Sequence, residues 1–137
     1  MRVTLDTNLI VSGLMLPNSV PGHLLEHWDR HGYILVTSSQ QLSELQRVLS
    51  YPKIKKFIPK ARAGRFINRL YSKALFVVPE RVPPIIEDEE DLLILGTAVA
   101  GKAHLLVSGD HELLALGKYR GVRIVPPAHA LKQMGGR

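Results

Sequence analysis

The chain has 137 residues, enough to fold around one hydrophobic core and too few for two ordinary domains, so a single domain over 1–137 is expected. With 45% apolar and 22% charged residues its composition is that of a globular protein rather than a disordered or collagen-like one, and no apolar stretch approaches the roughly 20 residues that cross a bilayer. The absence of cysteine excludes disulfides, thiolate nucleophiles and cysteine-ligated zinc or iron, so a metal site would have to be built from carboxylate oxygens and imidazole nitrogens.

The first residues carry an acid at Asp6 and no apolar leader, and a cytoplasmic location is expected. Residues 3–5 are a short β-branched run that predicts a buried strand ending at Asp6. The stretch after it, punctuated by Gly13, Pro17, Asn18, Pro21 and Gly22, reads as a loop. Leu24, Leu25 and Trp28 recur at helical spacing and predict a helix over 23–30 that stops at His31 and Gly32. Leu16, Met15 and Trp28 are candidate interface residues around it, with core packing the stronger reading for Trp28. Residues 33–36 predict a second strand, and Ser38 and Ser39 offer N-cap oxygens to a helix carrying Leu42, Leu45, Val48 and Leu49.

Pro52 ends that helix, and a short helix over 53–58 closes at Pro59. The next helix carries an apolar stripe of Ala63, Phe66, Ile67, Leu70 and Ala74 beside a basic stripe of Arg62, Arg65, Arg69 and Lys73. Its apolar face belongs to the core, which leaves the basic face free to bind. Residues 75–78 predict a strand, 85–86 a short extended stretch, 89–100 a helix stopping at Gly101, 104–107 a strand, 112–116 a short helix and 122–125 a last strand before a closing helix. Strands alternating with helices in this way predict a three-layer α/β/α architecture with a mostly parallel central sheet, whose ligands gather at the carboxyl ends of the strands.

The signs of charge are segregated along the chain. Between Glu44 and Glu80 there is no acid, while nine of the eighteen Lys and Arg residues fall there; residues 87–91 are then acidic at every position. A basic arm suits a polyanion and an acidic knot suits a cation, so a phosphodiester substrate with a bound metal accounts for both. Asp6 follows the first strand, Asp110 follows the fourth, Asp91 opens a helix, and Glu44 lies one turn inside another. Each alone has an ordinary explanation as an N-cap, a helix-dipole partner or a solvated helix position. Together, four acids brought to one sheet edge would repel one another unless they held a divalent cation, and all-oxygen ligands favour Mg²⁺ or Mn²⁺.

Several segments carry a resemblance. Leu5-Asp6-Thr7-Asn8 after the first strand, Ser43-Glu44-Leu45 on a helix, Asp88-Glu89-Glu90-Asp91 opening another, and Val107-Ser108-Gly109-Asp110 after a strand are similar to those of the PIN-domain nucleases, in particular the VapC-like branch of toxin–antitoxin systems. The resemblance runs from residue 2 to about residue 131. It implies a metal-dependent endoribonuclease that hydrolyses single-stranded RNA with one or two Mg²⁺ or Mn²⁺ ions held by Asp6, Glu44, Asp91 and Asp110. Asn8, Ser108 and Asp88 are the supporting polar residues it implies. A small antitoxin protein and a homodimer are the partners that follow from it. Ser108 stands where threonine is common in the family, and Leu92 stands where a polar or acidic residue is common.

The basic stripe of Arg62, Arg65, Arg69 and Lys73 is then expected to hold the RNA backbone. The alternative function is a PIN-like protein that binds RNA or a partner without cutting. Residues 96–103 nearly match a phosphate-binding loop, yet Ala103 replaces the metal-binding hydroxyl and the segment leads into a strand rather than opening a helix. Asn8 stands where a haloacid-dehalogenase phosphatase would have its second aspartate, and only Asp6 is acidic around the first strand, where a receiver domain needs adjacent acids. His111 and the series His23, His27, His31 read as surface residues.

Overall fold

Four parallel strands form the middle of the molecule, described over residues 1–135 by a computed structural model. They are β1 (Arg2–Leu5), β2 (Ile34–Thr37), β4 (Leu105–Val107) and β6 (Val122–Val125), extended at one edge by parallel β3 (Leu75–Phe76) and at the other by antiparallel β5 (Lys118–Tyr119). The order β3-β2-β1-β4-β6-β5 places β1 between strands reached by different crossovers. Such a reversal of direction opens a crevice at the strands' carboxyl ends. Leu5, Val107 and Val125 lie in register, so Asp6, Ser108 and Pro126 leave the sheet at one level.

Alternation along the strands divides the core in two. Val3, Leu5, Leu35, Leu105, Val107 and Val125 face a cluster built with α1 (Thr7–Met15), α2 (Val20–Asp29), α3 (Ser39–Leu49), α5 (Lys60–Lys73) and α8 (Pro127–Gln133). Leu106, Val122 and Ile124 face a second cluster built with α6 (Glu89–Ala100) and α7 (His111–Leu116). The α/β/α layering expected from the alternating pattern is therefore present. The remaining short helix, α4 (Pro52–Lys55), is shorter than the 53–58 expected. No helix among the described residues is long and apolar enough to cross a membrane.

The principal departure from the sequence reading is α1, which occupies the stretch read as a loop. Asp6 caps it by accepting from the Asn8 amide at 3.4 Å, and Leu9, Ile10, Val11 and Leu14 bury its apolar face. Gly13 marks a close approach rather than a turn: a Cβ there would lie 2.7 Å from Leu25 Cδ1 and 2.8 Å from the Pro21 carbonyl oxygen, so α1 and α2 pack backbone to backbone. Trp28 is in the core, whereas Leu16 is exposed. The extended stretch at 85–86 joins no strand, although Ile86 is buried in the second cluster. Antiparallel β5, two residues long, has no counterpart in the expected order. Gly96 lies inside α6 and Gly101 caps it, which removes the phosphate-loop reading of 96–103.

Candidate active site

Asp6 is placed by β1 and held from two sides. Its backbone amide donates to the Val107 carbonyl at 2.9 Å, its Oδ1 caps α1, and its Oδ2 accepts from Ser108 Oγ at 2.7 Å. Burial raises its pKa above the usual carboxylate range and nearby Asp110 adds to the rise, while the Ser108 and Asn8 donors pull the other way. Ser108 serves both acids, because its Oγ also accepts the Asp110 amide at 3.0 Å. Asp110 Oδ2 in turn caps α7 through the Leu113 amide at 3.0 Å.

Asp91 comes from the first turn of α6, whose N-cap Asp88 accepts from the Glu90 and Asp91 amides at 2.8 and 3.1 Å. Its carboxyl is pushed up to about 7, by burial first and then by the charges of Asp110, Asp6, Asp88 and Glu112. Every influence on it is unfavourable to a negative charge. The structure therefore brings Asp6, Asp91 and Asp110 into electrostatic contact, with Asp88 supporting from the α6 cap. Glu112 belongs to the same acidic field, and only its place two residues after Asp110 could have signalled this.

Glu44 joins by a different route. Its Oε1 accepts the hydroxyl proton of Thr7, next to Asp6. Buried Gln41, one turn earlier on α3, donates to the Leu5 carbonyl at 2.7 Å and to Thr7 Oγ1 at 3.3 Å, and accepts from Thr37 Oγ1 at 2.6 Å. Thr7 and Gln41 were not singled out in the sequence; the three-residue spacing of Gln41 and Glu44 on one helix face was the available signal. Asn8 is exposed on α1 and lines the cleft.

The cleft beside these acids has a volume of about 310 Å³, and its walls include Asp6, Asn8, Ser12, Pro21, Asp110 and Pro127. The donor set fits a hard divalent cation, being all oxygen and acidic, with no Lys or Arg among the groups that perturb Asp6 and Asp91. Among the described residues no three His or acidic side chains converge closely enough to cage an ion by themselves. Such an ion would keep part of its water shell, as Mg²⁺ commonly does.

The basic stripe of α5 is not the free face expected from the sequence. Arg62 Nη1 donates to the Leu14 carbonyl at 2.9 Å, tying α5 to α1. Lys73 Nζ donates to the Asp29 carbonyl at 3.0 Å and lies 5.3 Å from the centre of the Trp28 ring. Arg69 Nε lies 3.3 Å from Asp29 Oδ1, within ion-pair range though poorly aligned for a hydrogen bond. Three of the four cations thus fasten α5 to its neighbours, and Arg65 alone is exposed with no polar partner among the described residues. The sequence could not show this, since Asp29 and Leu14 are remote from α5 along the chain.

A parallel sheet with a buried aspartate after β1, a second after β4 and a third opening the intervening helix defines the class, an α/β protein with an acidic crevice of the PIN type. The family model for the PIN domain matches residues 2–112, and the chain belongs to that family, whose members are generally nucleases. It is similar to the uncharacterized protein MJ1680 of Methanocaldococcus jannaschii, at 27% identity over 116 residues that make up 84% of this chain and 74% of that one. In fold it matches a chain in the crystal structure of VapBC2 from Rickettsia felis bound to a DNA fragment from their promoter. The TM-score is 0.60 and the identity 19%, covering 92% of this chain and 98% of that one.

Proposed function

We propose that this PIN domain is a metal-dependent endoribonuclease that hydrolyses phosphodiester bonds of single-stranded RNA, acting as the toxin of a toxin–antitoxin pair. The observation that carries the nuclease reading is the mutual repulsion of Asp6, Asp91 and Asp110 in one crevice, with Asp91 raised to about 7 and no Lys or Arg of the described residues among the groups that act on it. Asp6, Asp91 and Asp110 would hold Mg²⁺ or Mn²⁺ together with water from its own shell, and Glu44 would act from behind Thr7. When bound, such an ion supplies a water of lowered pKa and neutralises charge on the phosphate.

The protein's own groups have separate tasks. Ser108 holds Asp6 Oδ2 with its proton and fixes the Asp110 backbone with its lone pair. Gln41 fixes the Leu5 carbonyl and the Thr7 hydroxyl, and thereby the chain on both sides of Asp6. Asp88 sets the first turn of α6, which orients Asp91. Asn8 and Ser12, on the cleft wall, can donate to a phosphate or ribose oxygen. On α5, Arg65 is the available contact for RNA, and Arg62, Arg69 and Lys73 hold the helix that presents it.

The toxin reading, with a small antitoxin and a homodimer as partners, is supported by the fold shared with a chain of the VapBC2 complex. The test compares wild type with Asp6→Asn on end-labelled single-stranded and structured RNA, in EDTA and after adding Mg²⁺ or Mn²⁺. Cleavage by the wild type only with metal, and none by the variant, is expected. RNA binding without cleavage by either protein would instead establish the non-catalytic alternative. Growth arrest on induction of the wild type, relieved by Asp6→Asn, tests the toxin role.

A further inference from the structure

We propose that a groove between α8 and Arg123 on β6 is a second polyanion site, which carries the single-stranded RNA backbone away from the acidic cleft. The groove has a volume of about 590 Å³ and is lined by Arg123, Ala128, His129, Lys132 and Gln133. It is larger than the acidic cleft, which also reaches α8, and among the described residues no acid lines it. The inference rests on the nuclease reading for the identity of the polyanion, while the site itself stands on Arg123 and Lys132, with His129 between them in sequence.

Three observations support it. The first is continuity: Pro127, the first residue of α8, lines the acidic cleft, and Ala128, the next residue, lines the groove. A strand leaving the cleft along α8 passes His129 and then Lys132 within the seven residues of the helix, about 10 Å at 1.5 Å per residue. The second is the division of faces on α8. Ala130 and Leu131 are buried in the core, whereas Ala128, His129, Lys132 and Gln133 are all exposed on the groove side.

The third is an unfavourable pairing that folding leaves unrelieved. Arg123 stands directly opposite Lys118 in the antiparallel β5–β6 ladder, where like charges destabilise the strand pair. Both residues are exposed, and neither they nor Lys132 forms an ion pair among the described residues. The contrast with α5 is direct, since there Asp29 answers Arg69 and Lys73. Helix-dipole stabilisation explains Lys132 near the end of α8, but it does not explain two facing cations on a sheet edge. A phosphate in the groove, beside Arg123, relieves that repulsion from one side of the pair.

The test is titration of a fluorescein-labelled oligouridylate of about 12 nucleotides, a length within the range single-strand sites cover, with the full chain in EDTA so that nothing is cut. Wild type, Arg123→Gln, Lys132→Gln and the double variant are compared across a salt series, with an oligothymidylate arm to separate RNA from DNA. The double variant is expected to bind roughly ten times more weakly at low salt, with its log–log salt slope shallower by about 1.4, at 0.7 per lost phosphate contact. Arg123→Gln is expected to melt at a higher temperature than wild type, because it removes the repulsion with Lys118, so its weaker binding cannot be attributed to unfolding.

Unchanged affinity and slope in the double variant would overturn the groove, as would a loss found only with Arg65→Gln on α5. Tighter binding of poly-glutamate than of the oligouridylate at equal charge concentration would also overturn it, in favour of an acidic protein segment. Groove-dependent RNA binding in a protein that never cleaves RNA with Mg²⁺ or Mn²⁺ would support the groove while refuting the nuclease, so the two readings fail separately.

Discussion

Ser108 Oγ donates to Asp6 Oδ2 at 2.7 Å across 102 positions of sequence, and the same oxygen accepts the Asp110 amide. One fully buried hydroxyl thus joins two of the acids proposed to hold metal. Ser108→Ala leaves both partners short of a hydrogen bond, and a loss of about 1–3 kcal/mol of stability is expected for an unsatisfied buried group. Because the Ser108 donor lowers the Asp6 pKa, the variant also needs a higher pH to ionise Asp6. Denaturant midpoints and a pH profile of Mn²⁺-dependent cleavage check the two effects, and a profile unmoved on its acid side would refute the second.

The raised pKa of Asp91 makes the metal-free protein sensitive to pH. A carboxyl that titrates near 7 when folded and near 3.8 when unfolded binds more protons in the native state, so its contribution to stability declines as pH rises from about 4 to about 7. Asp91→Asn removes this penalty. In EDTA the variant is expected to melt above wild type at pH 8 and to show a smaller difference at pH 5. Mg²⁺ or Mn²⁺ at pH 8 should raise the melting temperature of wild type and not of the variant. Equal differences at both pH values would show that Asp91 is not perturbed in this way.

On β1 the fully buried Thr4 hydroxyl has no hydrogen-bond partner among the described residues. Thr4→Val keeps the shape and removes the stranded polar atom, so stability should rise by about 1 kcal/mol. The urea midpoint measures it. A fall of that size would mean that the hydroxyl is satisfied in solution.

Asp29 restrains two of the four α5 cations. Its ion pairs are half exposed, and Asp29→Asn should therefore cost no more than about 1 kcal/mol. Releasing Arg69, while Lys73 stays on the Asp29 carbonyl but loses its 3.8 Å ion pair, should strengthen oligouridylate binding at low salt and leave it unchanged at high salt, where screening removes the difference. Unaltered affinity at low salt would show that the α5 face takes no part in binding RNA.

Much of the fold was legible because period and punctuation agree. Residues 3–5, 104–107 and 122–125 are short, mostly apolar stretches bounded by polar or turn residues, and Ser38 with Ser39 announces α3. Asp6 and Asp110 could be placed together because strand ends in a parallel sheet share one edge, and Asp91 because an acid in the first turn of a helix lies near its N-terminus. α1 was not legible, since Gly13 serves helix contact there and no local signal separates that use from a turn. β5 is two residues long, too short for any period. The partners of Arg62, Arg69 and Lys73 were invisible for another reason: a charge stripe declares that it is polar, while its counter-charges are chosen by tertiary packing.

The central position of β1 bears on when the acidic crevice can exist. Asp6 is synthesised long before its partners, because β1 acquires its flanking strand β4 and the Ser108 hydroxyl only after more than a hundred further residues have been added. Contacts of such long range form late. A nascent chain therefore carries no assembled carboxylate cluster until β4, Ser108 and Asp110 have all been added to it.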